Sequence, residues 1–165
     1  MVIGKKFLIS SLLLCAFTVR AEITCGGSDI GLINTTYKLS NLHSSGEFIL
    51  TIANEKITTS HKITQGMGYL RMRCDKLVDG RDVLIVNPWC SGRACEMQQL
   101  LGVIDVSHGK YLVELPRDYR GSTREAAEKL LQKKIADFAC DEGHHIAAKT
   151  DKSGDICLET ARDQG

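Results

Sequence analysis

The chain has 165 residues, of which 43% are apolar and 25% are charged, and its formal net charge is +1. This composition is typical of one globular domain and excludes a disordered or collagen-like chain. No apolar run reaches the roughly 18 residues that indicate a membrane span. The unusual feature is the number of cysteines, which is seven.

The N-terminal segment predicts export. The basic pair Lys5-Lys6 precedes an apolar stretch at residues 7–19, and Val19-Arg20-Ala21 resembles a signal-peptidase site. We therefore expect residues 1–21 to be a signal peptide that is removed, and residues 22–165 to form a single periplasmic or secreted domain. A membrane anchor is the disfavoured alternative, because the stretch is shorter than the ~20 residues that cross a bilayer.

Removal of this segment changes both the charge and the cysteine count. It takes away three basic residues and no acidic one, so the net charge falls from +1 to −2. A chain with this charge lacks the excess of basic residues that is typical of nucleic-acid-binding proteins. It also removes Cys15, which leaves six cysteines, an even number that favours disulfides in an exported chain. Leu14 stands where a lipoprotein signal has a small residue, which disfavours lipidation of Cys15.

Short turn signals separate runs that are rich in β-branched and apolar residues. Asn54-Glu55, Asp79-Gly80 and His108-Gly109 each lie between two such runs, and Asp-Gly is a strong signal for a two-residue hairpin. Alternation of apolar and polar residues, as at 69–74, predicts strands with one solvated face. Consecutive hairpins predict an antiparallel meander, with Pro88 just past the end of a strand.

One segment predicts a helix. Ser122-Thr123-Arg124-Glu125 matches the capping box, in which Ser122 is the N-cap and Glu125 reaches back to it. Apolar residues then recur at spacings of three and four, at Ala127, Leu130, Leu131, Ile135 and Phe138. We expect an α+β domain, an antiparallel meander with this main C-terminal helix packed on the sheet. The polar tail after Cys140 is expected to be held mainly by its two cysteines.

The six remaining cysteines are candidates for disulfides, at Cys25, Cys74, Cys90, Cys95, Cys140 and Cys157. Six cysteines allow fifteen pairings, and spacing alone does not choose among them. We predict nearest-neighbour pairing, which joins Cys25 to Cys74, Cys90 to Cys95, and Cys140 to Cys157. The chain has no C-x-x-C sequence, so a redox pair or a structural zinc site is the disfavoured alternative.

No motif of a catalytic site is present in the sequence. His144-His145, flanked by Asp141 and Glu142, is the cluster that most resembles metal ligands, and a metal-assisted hydrolase built on it is one alternative. Adjacent histidines point in different directions in most backbones, and one metal usually needs three or four ligands. The favoured interpretation is a solvated loop. We therefore expect no cofactor, no metal and no catalytic residue, and a binding protein rather than an enzyme.

The candidate binding site is the 89–95 loop, which contains Trp89, Ser91, Gly92 and Arg93 between or beside two cysteines. Tryptophan and arginine dominate binding hot spots, and a loop closed by a disulfide loses less entropy when it binds. The alternative is that Trp89 belongs to the core and Arg93 is only solvated.

A strand, a C-x-x-x-x-C loop and a further hairpin in a small exported chain resemble the Ivy-type periplasmic lysozyme inhibitors, over residues 80–115. The resemblance implies that Cys90 and Cys95 close a loop that enters the cleft of a target enzyme. Arg93 stands at the position of that family's histidine, and a cation there can address the paired carboxylates of a glycosidase. Residues 90–140 more loosely resemble small bacterial periplasmic proteins of no assigned function.

The leading functional hypothesis is thus an inhibitor or immunity-type protein that binds another protein, such as a cell-wall-degrading enzyme. A structural or accessory component of an envelope or secretion assembly is a further alternative.

Overall fold

The computed structural model describes residues 20–40, 43–64, 69–89, 99–116, 121–138, 149–150 and 156–159. Within these residues the chain forms strands and one helix. In chain order they are β1 (Arg20–Cys25), β2 (Ser28–Ser40), β3 (His43–Ala53), β4 (Thr58–Ile63), β5 (Tyr69–Lys76), β6 (Asp82–Trp89), β7 (Gly102–Asp105), β8 (Lys110–Val113), α1 (Arg124–Leu131), β9 (Lys149–Thr150) and β10 (Ile156–Glu159).

The strands form two antiparallel sheets. The first sheet has the order β1-β2-β3-β4, and the second has the order β8-β7-β6-β5-β10-β9. The predicted α+β class and the antiparallel pairing are confirmed, and the predicted meander is divided between two sheets. The three predicted hairpins join β3 to β4, β5 to β6 and β7 to β8.

The two sheets pack face to face through an apolar core. Alternate residues of both sheets supply it, among them Ile30, Leu32, Phe48, Leu50, Ile52, Ile63, Leu70, Met72, Leu84, Val86, Ile104 and Val106. Burial of this surface is the main favourable contribution to folding. Strand β6 lies at the centre of the second sheet, and residues 83–88 are buried on both of its faces.

The helix covers the other face of the second sheet, as predicted. The contact is apolar and includes Val83, Ile85, Leu101, Val103, Ala127, Leu131, Ile135 and Phe138. Helix α1 ends at Leu131, because Gln132 adopts a left-handed conformation with a φ of 54°. Ile135 and Phe138 belong to the predicted apolar stripe but lie beyond the helix, in an irregular segment that stays buried against the sheet.

The predicted capping box is wrong. The N-cap of α1 is Thr123 rather than Ser122, and its side chain makes no capping hydrogen bond to the helix. The hydroxyl of Thr123 instead binds the backbone of Leu101, and Ser122 Oγ donates to Gln99 Oε1 at 3.4 Å. The tertiary contact has therefore replaced the local one.

Two further expectations are corrected by burial and register. The alternation at 69–74 predicts a solvated Arg71, but this residue is only 7% exposed. Pro88 lies inside β6 rather than past it, where β7 no longer pairs with β6 beyond Val86. In the C-terminal tail, β10 extends the second sheet alongside β5, and the expected role of Cys140 and Cys157 there remains a prediction.

The predicted disulfide between Cys25 and Cys74 is confirmed, with a Cα–Cα distance of 5.7 Å. It joins β1 of the first sheet to β5 of the second. Cys90, Cys95 and Cys140 lie outside the described residues, and Cys157 lies in β10 opposite Arg71. The other two pairings remain predictions.

The predicted cleavage site falls inside β1. Cleavage after Ala21 leaves four register pairs between β1 and β2, from Glu22 opposite Gly31 to Cys25 opposite Ser28. The disulfide therefore holds the part of β1 that remains after cleavage. Among the described residues, no helix has the length and apolar character needed to cross a membrane.

Candidate functional site

The hairpins divide the molecule into two ends. The turns of β1–β2, β3–β4, β5–β6 and β7–β8 lie together, and we call this side the turn end. The opposite side, where β6 ends at Trp89 and the 89–95 loop leaves the sheet, is called the loop end. Of the predicted binding residues, Trp89 therefore lies at the loop end.

At the turn end, side chains connect the two sheets. Asn54 Nδ2 donates to Ser28 Oγ at 3.1 Å, and Ser28 Oγ donates in turn to the Val106 carbonyl at 3.1 Å. Asn54 Oδ1 also accepts the backbone N–H groups of Lys56 and Ile57, which fixes the β3–β4 turn. One asparagine thus orders its own turn and binds it to the neighbouring sheet.

Asp105 is the centre of a second group of contacts at this end. Its side chain is 3% exposed, and Oδ2 accepts hydrogen bonds from Arg81 Nη1 and His108 Nδ1, each at 3.0 Å. Oδ1 accepts the N–H groups of Ser107 and His108. Burial by itself raises the pKa of Asp105, but the hydrogen bonds from His108 and Ser107 outweigh it and lower the pKa below its ordinary value of 3.8.

This buried carboxylate resembles the carboxylate–histidine pair of a hydrolase, but its surroundings favour a structural role. All four donors to Asp105 come from its own turn or from Arg81 in the adjacent turn. The His108 side chain is 66% exposed on a turn. Within the described residues, no group of three or more His, Cys, Asp or Glu side chains is arranged to hold a metal ion.

A third contact joins β4 to the β7–β8 turn. His61 Nε2 lies 3.0 Å from the Gly109 carbonyl, and its ring meets that of Tyr111 edge to face at 4.9 Å. Burial, followed by the negative charge of Glu114, raises the pKa of Tyr111 to about 12. Gly109 has a φ of 61°, and a Cβ at this position would collide with the side chain of Thr59. Glycine allows both the turn and the close approach of the sheets.

At the loop end, the base of the 89–95 loop is fixed by a buried amide. Asn87 is 0% exposed in β6, and its Nδ2 donates to the Leu100 carbonyl at 2.7 Å. We call residues 99–101 the return stem, because the described chain resumes there after β6. The bond therefore joins the outgoing strand to the return stem across 13 positions of sequence.

The return stem is also bound to the start of α1. The Leu101 N–H donates to Thr123 Oγ1 at 2.8 Å, and this hydroxyl donates to the Leu101 carbonyl at 2.7 Å. The Thr123 N–H donates to the Gln99 carbonyl at 2.9 Å. Because Leu100 and Leu101 are each 1% exposed, the stem is anchored by apolar packing as well.

The segment after the helix is held by charged contacts. Glu128 accepts hydrogen bonds from Arg124, Lys134 and the Ile135 N–H. The bond from Lys134, followed by that from Ile135, lowers the pKa of Glu128 to about 2. The Arg73 guanidinium lies 4.6 Å from the ring centroid of Phe138, which adds a cation–π contact to the apolar packing.

The predicted site residues are placed only in part. Trp89 is the last residue of β6 and lies opposite Tyr69 of β5 in the register. Ser91, Gly92 and Arg93 lie outside the described residues, as do His144 and His145. The structure thus places the strand from which the candidate loop leaves and the stem to which the chain returns.

Sequence reasoning missed Asn87, Asp105 and Thr123. Asn87 and Asp105 each end a run of apolar residues inside a strand, and a lone polar residue in such a run signals a buried hydrogen-bonding role. The signal was therefore present, although it does not name the partner.

Comparison of this chain with protein-family models, curated proteins and solved structures finds no match.

Proposed function

We propose that this chain is an exported, non-enzymatic binding protein that inhibits a cell-wall-degrading enzyme through the 89–95 loop. The observation that carries the proposal is the bond from Asn87 to the Leu100 carbonyl. A loop whose two stems are joined at a buried site loses less conformational entropy on binding. Such a loop on a rigid frame is a common arrangement for recognition.

Two features support export to the periplasm or beyond the cell. Residues 1–21 have the pattern of a signal peptide. The disulfide between Cys25 and Cys74 is of a kind that persists in oxidising compartments.

The test uses purified lysozyme and a peptidoglycan suspension. The mature protein is expected to inhibit hydrolysis, and Trp89→Ala or Arg93→Ala is expected to weaken inhibition by about tenfold or more, as for a hot-spot residue. Lys56→Ala is the matched control, because it removes an exposed cation at the turn end. It should leave inhibition unchanged.

Melting temperatures separate binding from folding. We expect Arg93→Ala to have the same melting temperature as the native protein. Equal inhibition by the native protein and both loop variants would contradict the role of the loop. A native protein that inhibits no lysozyme would contradict the choice of target, and capture from an envelope extract followed by mass spectrometry would then identify another.

A further inference from the structure

The disulfide between Cys25 and Cys74 has one buried end and one exposed end. Cys25 is 1% exposed and belongs to the apolar core between the two sheets. Cys74 is an exposed residue of β5. A thiol in solution therefore meets the two ends of the bond under different conditions, although one covalent bond joins them.

Cys74 lies where β5 becomes an edge strand. Strand β10 pairs with β5 from Tyr69 to Met72, opposite Ile156–Glu159. Beyond Met72, the described strands leave this edge of β5 without a partner through Cys74 to Lys76. An unpaired strand edge is open to an incoming molecule, so the surroundings of Cys74 allow approach from solvent.

Cys25 is covered by the start of β6. Its Sγ lies 3.6 Å from the carbonyl oxygen of Val83, a residue that is 0% exposed. The next residue, Gly26, approaches Asp82 so closely that a Cβ at Gly26 would collide with the Asp82 side chain. Because Gly26 has a φ of 57°, glycine permits both the turn and this close approach.

We propose that Cys74 is the thiol-exchange site of this protein, at which an incoming thiol forms a mixed disulfide, and that Cys25 is the buried resolving cysteine. Exchange depends on which sulfur a thiolate can reach. Attack on Cys25 requires the start of β6 to move away from the first sheet, whereas attack on Cys74 does not. This role does not depend on inhibition of a cell-wall-degrading enzyme.

The exchange step is balanced within the pair and the incoming thiol. The thiolate attacks Cys74 Sγ, the bond between the two cysteines breaks, and a bond forms between Cys74 and the incoming sulfur. The electron pair of the broken bond goes to Cys25 Sγ, which takes a proton from water. The released thiol lies beside the Val83 carbonyl, which can accept a hydrogen bond from its S–H group.

The partner that fits this site is a dithiol, such as the reduced active site of a thiol–disulfide oxidoreductase. The second thiolate of the dithiol attacks the mixed disulfide, and Cys74 leaves as a thiol while the dithiol closes to a disulfide. Two electrons have then passed to the protein, and the reverse sequence forms the bond again. The redox state of the pair thus decides whether β1 is covalently joined to the second sheet.

The first test compares Cys25→Ala with Cys74→Ala, which are matched because each lacks the same cross-link. Glutathione disulfide is the probe, and its uptake is mapped on peptides by mass spectrometry. Cys74 in Cys25→Ala should react at least about tenfold faster than Cys25 in Cys74→Ala, since a buried thiol reacts only when the structure opens. In guanidinium chloride the two rates should become equal. Equal rates in buffer, in variants with native circular dichroism, would overturn the proposal.

A second measurement keeps the native protein, and it decides the question if either variant fails to fold. The oxidised protein is treated with glutathione at concentrations that reduce the pair, and acid stops the exchange. We expect the glutathione adduct on Cys74 at least about tenfold more often than on Cys25. An adduct that is equally frequent on the two cysteines, or absent from Cys74, would overturn the proposal.

The protection of Cys25 by β6 is tested at Gly26. Gly26→Ala places a Cβ against Asp82, and the share of adduct on Cys25 should rise by about threefold or more, because a strained contact opens more often. Gly27→Ala is the matched control, since Gly27 also has a positive φ, of 75°, but open space at the Cβ position. It should keep the native share. Equal shares in the two variants would overturn the assignment of β6 as the cover of Cys25.

Discussion

The two ends of the molecule are stabilised in different ways. At the turn end, a disulfide and side-chain hydrogen bonds join one sheet to the other, through Cys25, Asn54 and their partners. At the loop end, the described hydrogen bonds of Asn87 and Thr123 act within the second sheet and its helical layer. The turn end therefore holds the layers together, whereas the loop end fixes the base of one connection.

Under the proposed function, stability depends on the turn end and recognition on the loop end. Binding loops are commonly carried by a rigid scaffold whose stability does not depend on the loop. The sequence of the loop is then determined by what it binds. Contacts between the sheets at the turn end supply that frame. Substitutions at the turn end should therefore change the free energy of unfolding more than inhibition, and substitutions in the 89–95 loop should do the opposite.

The largest effect is expected from removal of the disulfide. The paired substitutions Cys25→Ala and Cys74→Ala open a cross-link between residues 49 positions apart. Loss of this constraint on the unfolded chain should lower the free energy of unfolding by about 4 kcal/mol. Denaturant titration measures the loss, and the protein that stays folded should still inhibit lysozyme. A loss below about 1 kcal/mol would show that the disulfide is not the main contact that stabilises the turn end.

Asp105→Asn should have the next largest effect. The amide that replaces Oδ2 cannot accept from Arg81, so a part-buried charge-assisted bond is lost, at a cost of about 3 kcal/mol. Asp79→Asn is the matched control, because Asp79 also binds Arg81 but is 52% exposed. It should change stability little. Equal losses in the two variants would mean that burial of Asp105 adds nothing.

Gly109→Ala tests the close approach of β4 to the β7–β8 turn. Gly80→Ala is its matched control, because Gly80 also has a positive φ, of 84°, but open space at the Cβ position. The control should lose about 1 kcal/mol from backbone strain. Gly109→Ala should lose about 2 kcal/mol more, because its Cβ also meets Thr59. Identical losses would show that the sheets separate at this point without cost.

Local signals predicted much of this fold. Asp79-Gly80 correctly predicts the position of the β5–β6 hairpin. The connection is longer than two residues, since the hydrogen bond that closes it runs from the Leu77 N–H to the Arg81 carbonyl. Only Gly80 has a positive φ there, so the two-residue turn expected from the sequence is wrong in its type. Turn residues thus locate a hairpin better than they define its geometry.

Non-local pairing set the limit of sequence reasoning. The division into two sheets depends on which strands meet in space, and alternation within a strand does not contain that information. The same reason explains the start of α1, where the local pattern predicts a capping box with Ser122 as the N-cap, whereas the N-cap is Thr123 and its hydroxyl binds Leu101. For the candidate site, the sequence singled out Trp89, whereas the role of Asn87 required the position of Leu100.

The last effect concerns the segment after α1, which Glu128 holds through Lys134 and the Ile135 N–H. Because the pKa of Glu128 is lowered from 4.5 to about 2 in the folded chain, its stabilising contribution is present above pH 4.5. The contribution is lost as the pH falls from 4.5 towards 2, since the unfolded chain then binds the proton more tightly. Denaturant titrations at a series of pH values measure the free energy of unfolding across this range. As the pH is lowered, this free energy should fall less steeply for Glu128→Gln than for the native protein. Glu125→Gln, on the exposed side of the same helix, should keep the native slope. Equal slopes in all three proteins would mean that the contacts of Glu128 with Lys134 and Ile135 do not hold the segment after the helix.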